Sequence, residues 1–312
     1  MKANNIVATG LVGFILTVAC GGVNSQSADA EALPSTQSTP YPSDLLARVR
    51  GVAMAIPGEL ATVVNFAKVA ESHRTYAGII EGGADELFVS ARTAFQIVYP
   101  KGSIMLDSGM DEEVHRYYGF GRDEPYWQEA NDRVQQALKS AQLIIITHEH
   151  GDHVAGVIRS DIRDQLASKT ILTQQQVDTL ISAPQLPQIQ LTEQQASDYI
   201  VVDYEQIMPI APGIVLIKSP GHTQGHQMLY LQLANGEELL FIGDIGWSLD
   251  NITQLMLRPE ATMARIKENP VALTHQMSWI KQIMDEDGII VVPSHDDRLL
   301  TRYVEDGKLG KF

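Results

Sequence analysis

The stretch THEHGDHVAG (147–156) places His148, His150 and His153, with Asp152 among them, directly after the apolar run LIII (143–146). The whole chain has only nine histidines. An imidazole offers a lone pair to a divalent cation through either ring nitrogen, and His with carboxylate is a donor set that suits zinc. His148 and His150, two apart at a strand end, can face one ion. Asp152 and His153 follow a glycine, where the chain is expected to turn into a helix, and can face a second.

Further candidates end other apolar runs. SPGHTQGH (219–226) follows IVLIK (214–218) and supplies His222 and His226. FIGDIGW (241–247) supplies Asp244, and VVPSHDD (291–297) supplies His295. Loops that leave one edge of a sheet framework are where site residues gather. With His226 set aside, the remaining histidines and the two aspartates suffice for two ions and a bridging carboxylate.

The order and spacing of H148-E-H150-G-D152-H153, G221-H222-T-Q-G-H226, G243-D244 and S294-H295 resemble the metallo-β-lactamase superfamily. Asp107-Ser108-Gly109, closing an early hairpin, resembles that family's first aspartate motif. The likeness spans roughly residues 50–300 and implies an α/β fold, a four-layer αβ/βα sandwich with a dinuclear site at one edge. It implies that His148, His150 and His222 hold one metal, that Asp152, His153 and His295 hold the other, and that Asp244 bridges them. Asp152 is also expected to orient the nucleophile and relay a proton. His226 is expected to support the site rather than ligate. The family's common pair of glycines after the His-rich motif is replaced by Val154-Ala155-Gly156.

The resemblance implies two divalent ions, with Zn2+ the default and iron, manganese or cobalt compatible with the same donors. A hydroxide held between them would attack the carbonyl of a lactone, ester or amide. Branches with a cysteine ligand are excluded, since the only cysteine is Cys20. Other true β-lactamases lack the bridging aspartate, and the flavin-linked diiron branch has Glu where this chain has His150. Residues 296–312 are too few for the glutathione-binding region of glyoxalase II. PGHTQGHQMLYL resembles quorum-quenching lactonases, which makes an acyl-homoserine-lactone-type substrate one expectation within the lactone, ester or amide class. Trp247 stands where those enzymes often carry a tyrosine, as a pocket wall or an N–H donor. The alternatives are β-lactam hydrolysis, a mononuclear-iron sulfur dioxygenase of the same fold, and a metal carrier.

These residues need strands to deliver them. VAMAI (52–56), 61–70, 87–91, the hairpin 94–109, 143–146, 214–218, 228–233, 238–243 and 289–292 are predicted strands. Helices are predicted at 124–140, from 153, at 172–182, 259–268 and 270–285. The aromatic stretch YYGFGRDEPYW (117–127) is expected to pack on the following helix rather than cover the site. Arg258 is expected to sit solvated beside a helix start.

A formal charge of −15 with no basic stripe excludes nucleic acid and leaves a small-molecule substrate. Lys2, the apolar stretch 6–19 and Cys20 in LTVACGG resemble a bacterial lipoprotein signal over residues 1–20, with acylation of Cys20 as a membrane attachment. Cleavage after Ala30 and an uncleaved anchor are the rival readings. All three export the chain, to the periplasm or as an outer-membrane lipoprotein. Residues 21–47 are expected to be a flexible linker and 48–312 the metallo-β-lactamase-like domain.

Overall fold

The computed structural model describes residues 40–312. The export-type segment, Cys20 and most of the expected linker lie outside them. Strands β1 (Val63–Thr75), β2 (Leu87–Tyr99), β3 (Gly102–Leu106), β4 (Leu143–Ile145), β5 (Thr170–Thr173) and β6 (Ile200–Val202) run in chain order across one sheet. Strand β12 (Gly310–Lys311) adds to its β1 edge, in parallel. The second sheet has the order β11 (Ile290–Pro293), β10 (Glu238–Gly243), β9 (Gln227–Gln232), β8 (Ile214–Lys218), β7 (Ile207–Ala211).

The sheets face each other across a core of Phe66, Phe95, Leu106, Ile145, Leu216, Leu231, Phe241 and Val292. Phe95 and Phe241 meet edge to face at 5.0 Å across that core, worth about 0.5–1.5 kcal/mol beyond the area buried. On the outer face of the first sheet lie the helices Gln128–Ser140 and Gly151–Ile158. On the outer face of the second lie Leu45–Ala53 and Pro270–Asp287. The result is helix, sheet, sheet, helix, the αβ/βα sandwich expected from the motifs.

Strand direction sets the site. β3, β4 and β5 pair in parallel, as do β10 and β11. β8 and β10 each run antiparallel to β9, and therefore run the same way as each other. The loops that follow β3, β4, β8, β10 and β11 thus leave corresponding strand ends. Gln227 ties the two sheets together there: its backbone N–H donates to Thr147 O at 2.9 Å and its Nε2 to Ile146 O at 2.8 Å.

The structure corrects several expected elements. VAMAI is no strand, because Ala53 ends the helix Leu45–Ala53, whose buried residues Leu45, Leu46, Val49 and Ala53 recur at helical spacing. That helix begins inside the stretch read as linker. Residues 172–182 are not one helix: the fully buried Thr170–Thr173 is β5, and the Thr173 side chain then caps Gln174–Ser182 by accepting from Gln176 N. Segments 87–91 and 94–99 form the single strand β2. Strands β6, β7 and β12 were not anticipated from the sequence pattern.

Candidate metal centre

Each motif lies at a strand end. After β4 the chain passes through Thr147, His148 and Glu149 to His150, the N-cap residue of the helix Gly151–Ile158. Asp152 and His153 occupy that helix's first turn. Gly156 lets the helix sit against the turn after β3, since a Cβ there would lie 1.9 Å from Ser108 O. The shift from two glycines to Val154-Ala155-Gly156 therefore keeps the one glycine that the packing requires. His222 follows β8, Asp244 follows β10 and His295 follows β11.

Two donor groups result. In the first, His148, His150, His222 and Asp244 bring one ligand-capable atom each to within 4.8 Å of one another; Asp152, His153 and His295 do the same in the second. Asp244 faces both. Its Oδ2 is 3.3 Å from His222 Nε2 and 3.8 Å from His148 Nε2, its Oδ1 is 3.4 Å from His153 Nε2, and His295 Nε2 lies close to both oxygens, 3.0 Å from Oδ1 and 3.1 Å from Oδ2. His222 Nε2 and His150 Nδ1 are 2.9 Å apart.

The buried chemistry fits cations. His148 Nε2, His153 Nε2 and Asp244 Oδ1 are buried atoms with no hydrogen-bond partner among the described residues, yet all three point into this space. Unpaired buried polar atoms are costly and call for a partner. Burial pushes the His150 imidazole down to about 3, and holds His148 well below the usual histidine range, so both present neutral rings with free lone pairs. His153 is shifted up, because Asp107, Asp152 and Asp244 outweigh the effect of its burial. That position attracts positive charge, whether a proton or a metal ion. Burial would raise the Asp244 carboxyl, but His295, His153 and His148 hold it well below the ordinary carboxylate range.

The opposite ring nitrogens are engaged, which fixes each ring's orientation. His153 Nδ1 meets Asp107 Oδ2 at 2.8 Å, His295 Nδ1 donates to Ala91 O at 2.7 Å, and His222 Nδ1 meets Glu268 Oε1 at 2.5 Å. Asp107 is held in the left-handed region at φ 57°, and its Oδ1 accepts from Thr147 N at 2.7 Å. His226 is absent from both donor groups: its Nε2 accepts from Asp244 N at 3.1 Å and its Nδ1 lies 2.8 Å from Ser219 Oγ. It clamps the backbone of Asp244. Gly243, at φ 52°, has room for no side chain, because a Cβ would lie 2.5 Å from His226 Nε2. Glu149, between the first two histidines, turns away and accepts from Thr223 Oγ1 at 2.8 Å.

Arg258 is not the solvated cation expected from the sequence. It is 2 % exposed, its Nε donates to Glu268 Oε2 at 3.0 Å, and its Nη2 donates to Glu268 Oε1. Its guanidinium lies 4.8 Å from the Trp247 ring centroid. From the 117–127 stretch, Tyr118 enters the site region: its hydroxyl accepts from Asp152 N at 3.3 Å and donates to Gln185 Oε1 at 2.6 Å. Sequence reading missed Arg92, Gln185 and Glu268. Only Arg92 carried a signal, as the one charged residue in the otherwise apolar or neutral LFVSARTAFQIVY.

The fold recurs in solved structures. One is an N-acyl homoserine lactone hydrolase with the product N-hexanoyl-L-homoserine at its catalytic metal centre, with a TM-score of 0.61, 16% identity, and 78% of this chain and 96% of that chain covered. A probable metal-dependent hydrolase from Staphylococcus aureus gives a TM-score of 0.59 at 13% identity, over 77% of this chain and 91% of that chain. A dizinc quorum-quenching lactonase in complex with a product gives 0.53 at 14% identity, over 76% and 92%. No protein-family model matches the chain. The class that fold and site define is the metallo-β-lactamase fold carrying donor groups for two cations.

Proposed function

We propose that the protein is a dinuclear metal-dependent hydrolase that breaks the acyl C–O or C–N bond of a lactone, ester or amide, with zinc as its metal. The observation that carries this reading is Asp244, whose carboxylate lies 3.0–3.8 Å from histidine nitrogens of both groups. His148, His150 and His222 would hold the first ion, Asp152, His153 and His295 the second, and Asp244 would join them. Ions bound there would supply Lewis acidity and lower the pKa of water towards neutrality. The chain's own residues set the geometry. Asp107 and Glu268 orient His153 and His222, and His226 fixes the backbone that carries Asp244. Tyr118 and Gln185 hold the Gly151-Asp152 turn, Gln185 accepting from Gly151 N at 3.0 Å.

Within that chemistry we favour a lactone substrate of the acyl-homoserine type. Support comes from the GHTQGH stretch and from the lactone hydrolases that share the fold. The test is turnover by metal-loaded protein on a panel of acyl-homoserine lactones, simple esters, thioesters and cephalosporins. Lactone opening as the fastest reaction supports the reading. Preferential cephalosporin cleavage would move the protein to the β-lactam alternative, and oxygen consumption on a persulfide with one iron bound would end the hydrolase reading.

The export reading stands as a proposal on the sequence of residues 1–20. Cys20→Ala is expected to shift the protein from the membrane to the soluble fraction of a bacterial host. Unchanged fractionation would remove the lipid anchor.

A further inference from the structure

Strand β2 carries a cation into the site. Arg92 is 7 % exposed, and a buried guanidinium is costly unless its charge is paired; among the described residues its two Nη groups find partners while its Nε has none. Its Nη1 donates to Asp152 Oδ2 at 2.7 Å and its Nη2 to Ser72 Oγ at 3.3 Å. Its guanidinium lies 4.9 Å from the Tyr118 ring centroid, a cation–π contact on a ring that is itself buried. The Tyr118 hydroxyl accepts from the backbone N–H of Asp152. Asp152 is therefore held twice, at its side chain by Arg92 and at its backbone by the residue on which Arg92 stacks.

The geometry this produces is specific. Asp152 Oδ2 is 3.6 Å from His295 Nε2 and 3.8 Å from His153 Nε2. A carboxylate on a helix's first turn has rotamers that would swing it out of this group, and the hydrogen bond from Arg92 opposes that swing. Among those residues the first donor group has no comparable cation on its aspartate: Asp244 receives the Trp247 N–H instead. Arg92 thus acts on one group only.

We propose that Arg92 is a positioning residue for the second metal group, holding the Asp152 carboxylate toward His153 and His295. The proposal rests on the reading of Asp152, His153 and His295 as ligands. Loss of a side chain that orients a ligand typically lowers metal affinity 10–100-fold. The test compares wild-type protein, Arg92→Met and Arg92→Lys by zinc competition against a chromophoric chelator, which resolves the two ions by affinity. In Arg92→Met the ion at Asp152, His153 and His295 is expected to lose about tenfold or more in affinity while the other is unchanged. Arg92→Lys keeps the cation but not the fork to Ser72, and is expected to fall between.

Turnover is expected to lose kcat with KM retained, and part of that loss returns in Arg92→Lys. Wild-type affinity at both ions in Arg92→Met, an increase at the second, or an equal fall at both would overturn the proposal. Should Arg92→Met not fold, Arg92→Lys alone carries the test, and wild-type affinity there overturns it. A wild-type protein that binds one ion only would sink the dinuclear reading itself, before any variant is compared.

Discussion

The indole N–H of Trp247 donates to Asp244 Oδ2 across 2.8 Å, three residues along the same loop. Its ring is stacked by Arg258 and packs beside Ile79, Ile80 and Phe88. Trp247 is therefore both a partner of the proposed bridging carboxylate and part of an apolar wall. A phenol at this position could exchange a proton, whereas an indole N–H engaged with a carboxylate supplies a fixed dipole. Trp247→Phe is expected to keep two ions and to lose about tenfold in kcat/KM, the equivalent of a hydrogen bond to a charged group. Metal content and steady-state rates check this, and unchanged kinetics would deny the hydrogen bond a role.

Glu268 holds both His222 and Arg258. Glu268→Gln is expected to weaken the first ion about 10–100-fold. It should also destabilise the fold by about 3–5 kcal/mol, because Arg258 is left buried without its counter-charge. Adding Arg258→Met should return much of the stability and none of the metal affinity. Denaturant midpoints and zinc competition on the single and double variants separate the two effects.

Stripping the ions should lower the melting temperature. The unpartnered His148, His153 and Asp244 atoms would then face one another without a cation between them. A ligand at a hundred times its Kd contributes about 2.7 kcal/mol per site. Excess chelator is expected to shift the transition down and added zinc to restore it. Coincident transitions would mean that the native state holds no metal.

The helix Leu45–Ala53 is docked by charge as well as by its apolar face. Arg50 donates to Glu238 on β10 through Nε and Nη2, both at 2.7 Å. Burial tends to raise the Glu238 carboxyl, but hydrogen bonds from Arg50 and Tyr230 outweigh it and bring it below the usual range. With the folded value below the unfolded one, this contribution is full above the unfolded carboxylate pKa of about 4.3 and is lost as pH falls through the folded value. Glu238→Gln should narrow its stability gap to wild type as pH drops from about 6 to about 3. The pair is partly exposed, so the effect is modest and smaller in high salt. A gap independent of pH would contradict it.

The candidate ligands were legible because their chemistry is local: neither core packing nor solvation calls for His148, His150, Asp152 and His153 crowded together behind an apolar strand. The paired strands β2 and β3 were legible from Pro100-Lys101-Gly102 between two apolar runs. Helix Leu45–Ala53 was not, because its last residues, Val52 and Ala53, run into the apolar string VAMAI, whose alternation mimics a strand. β5 was absorbed into the next helix since four residues buried on both faces have no period to reveal them. β12 pairs only with β1, more than two hundred residues away in sequence, and nothing local marks such a contact. Glu268 and Gln185 are single residues whose roles exist only once distant elements meet, and Arg258 looked like any surface cation until Glu268 closed over it.

The central claim, two ions joined by Asp244, is tested most directly by metal content per chain in wild-type protein and Asp244→Ala, measured after gel filtration. Two ions in the wild type, and one or none in the variant with turnover abolished, is the result expected. Asp244→Ala protein that keeps both ions and its full rate would contradict it.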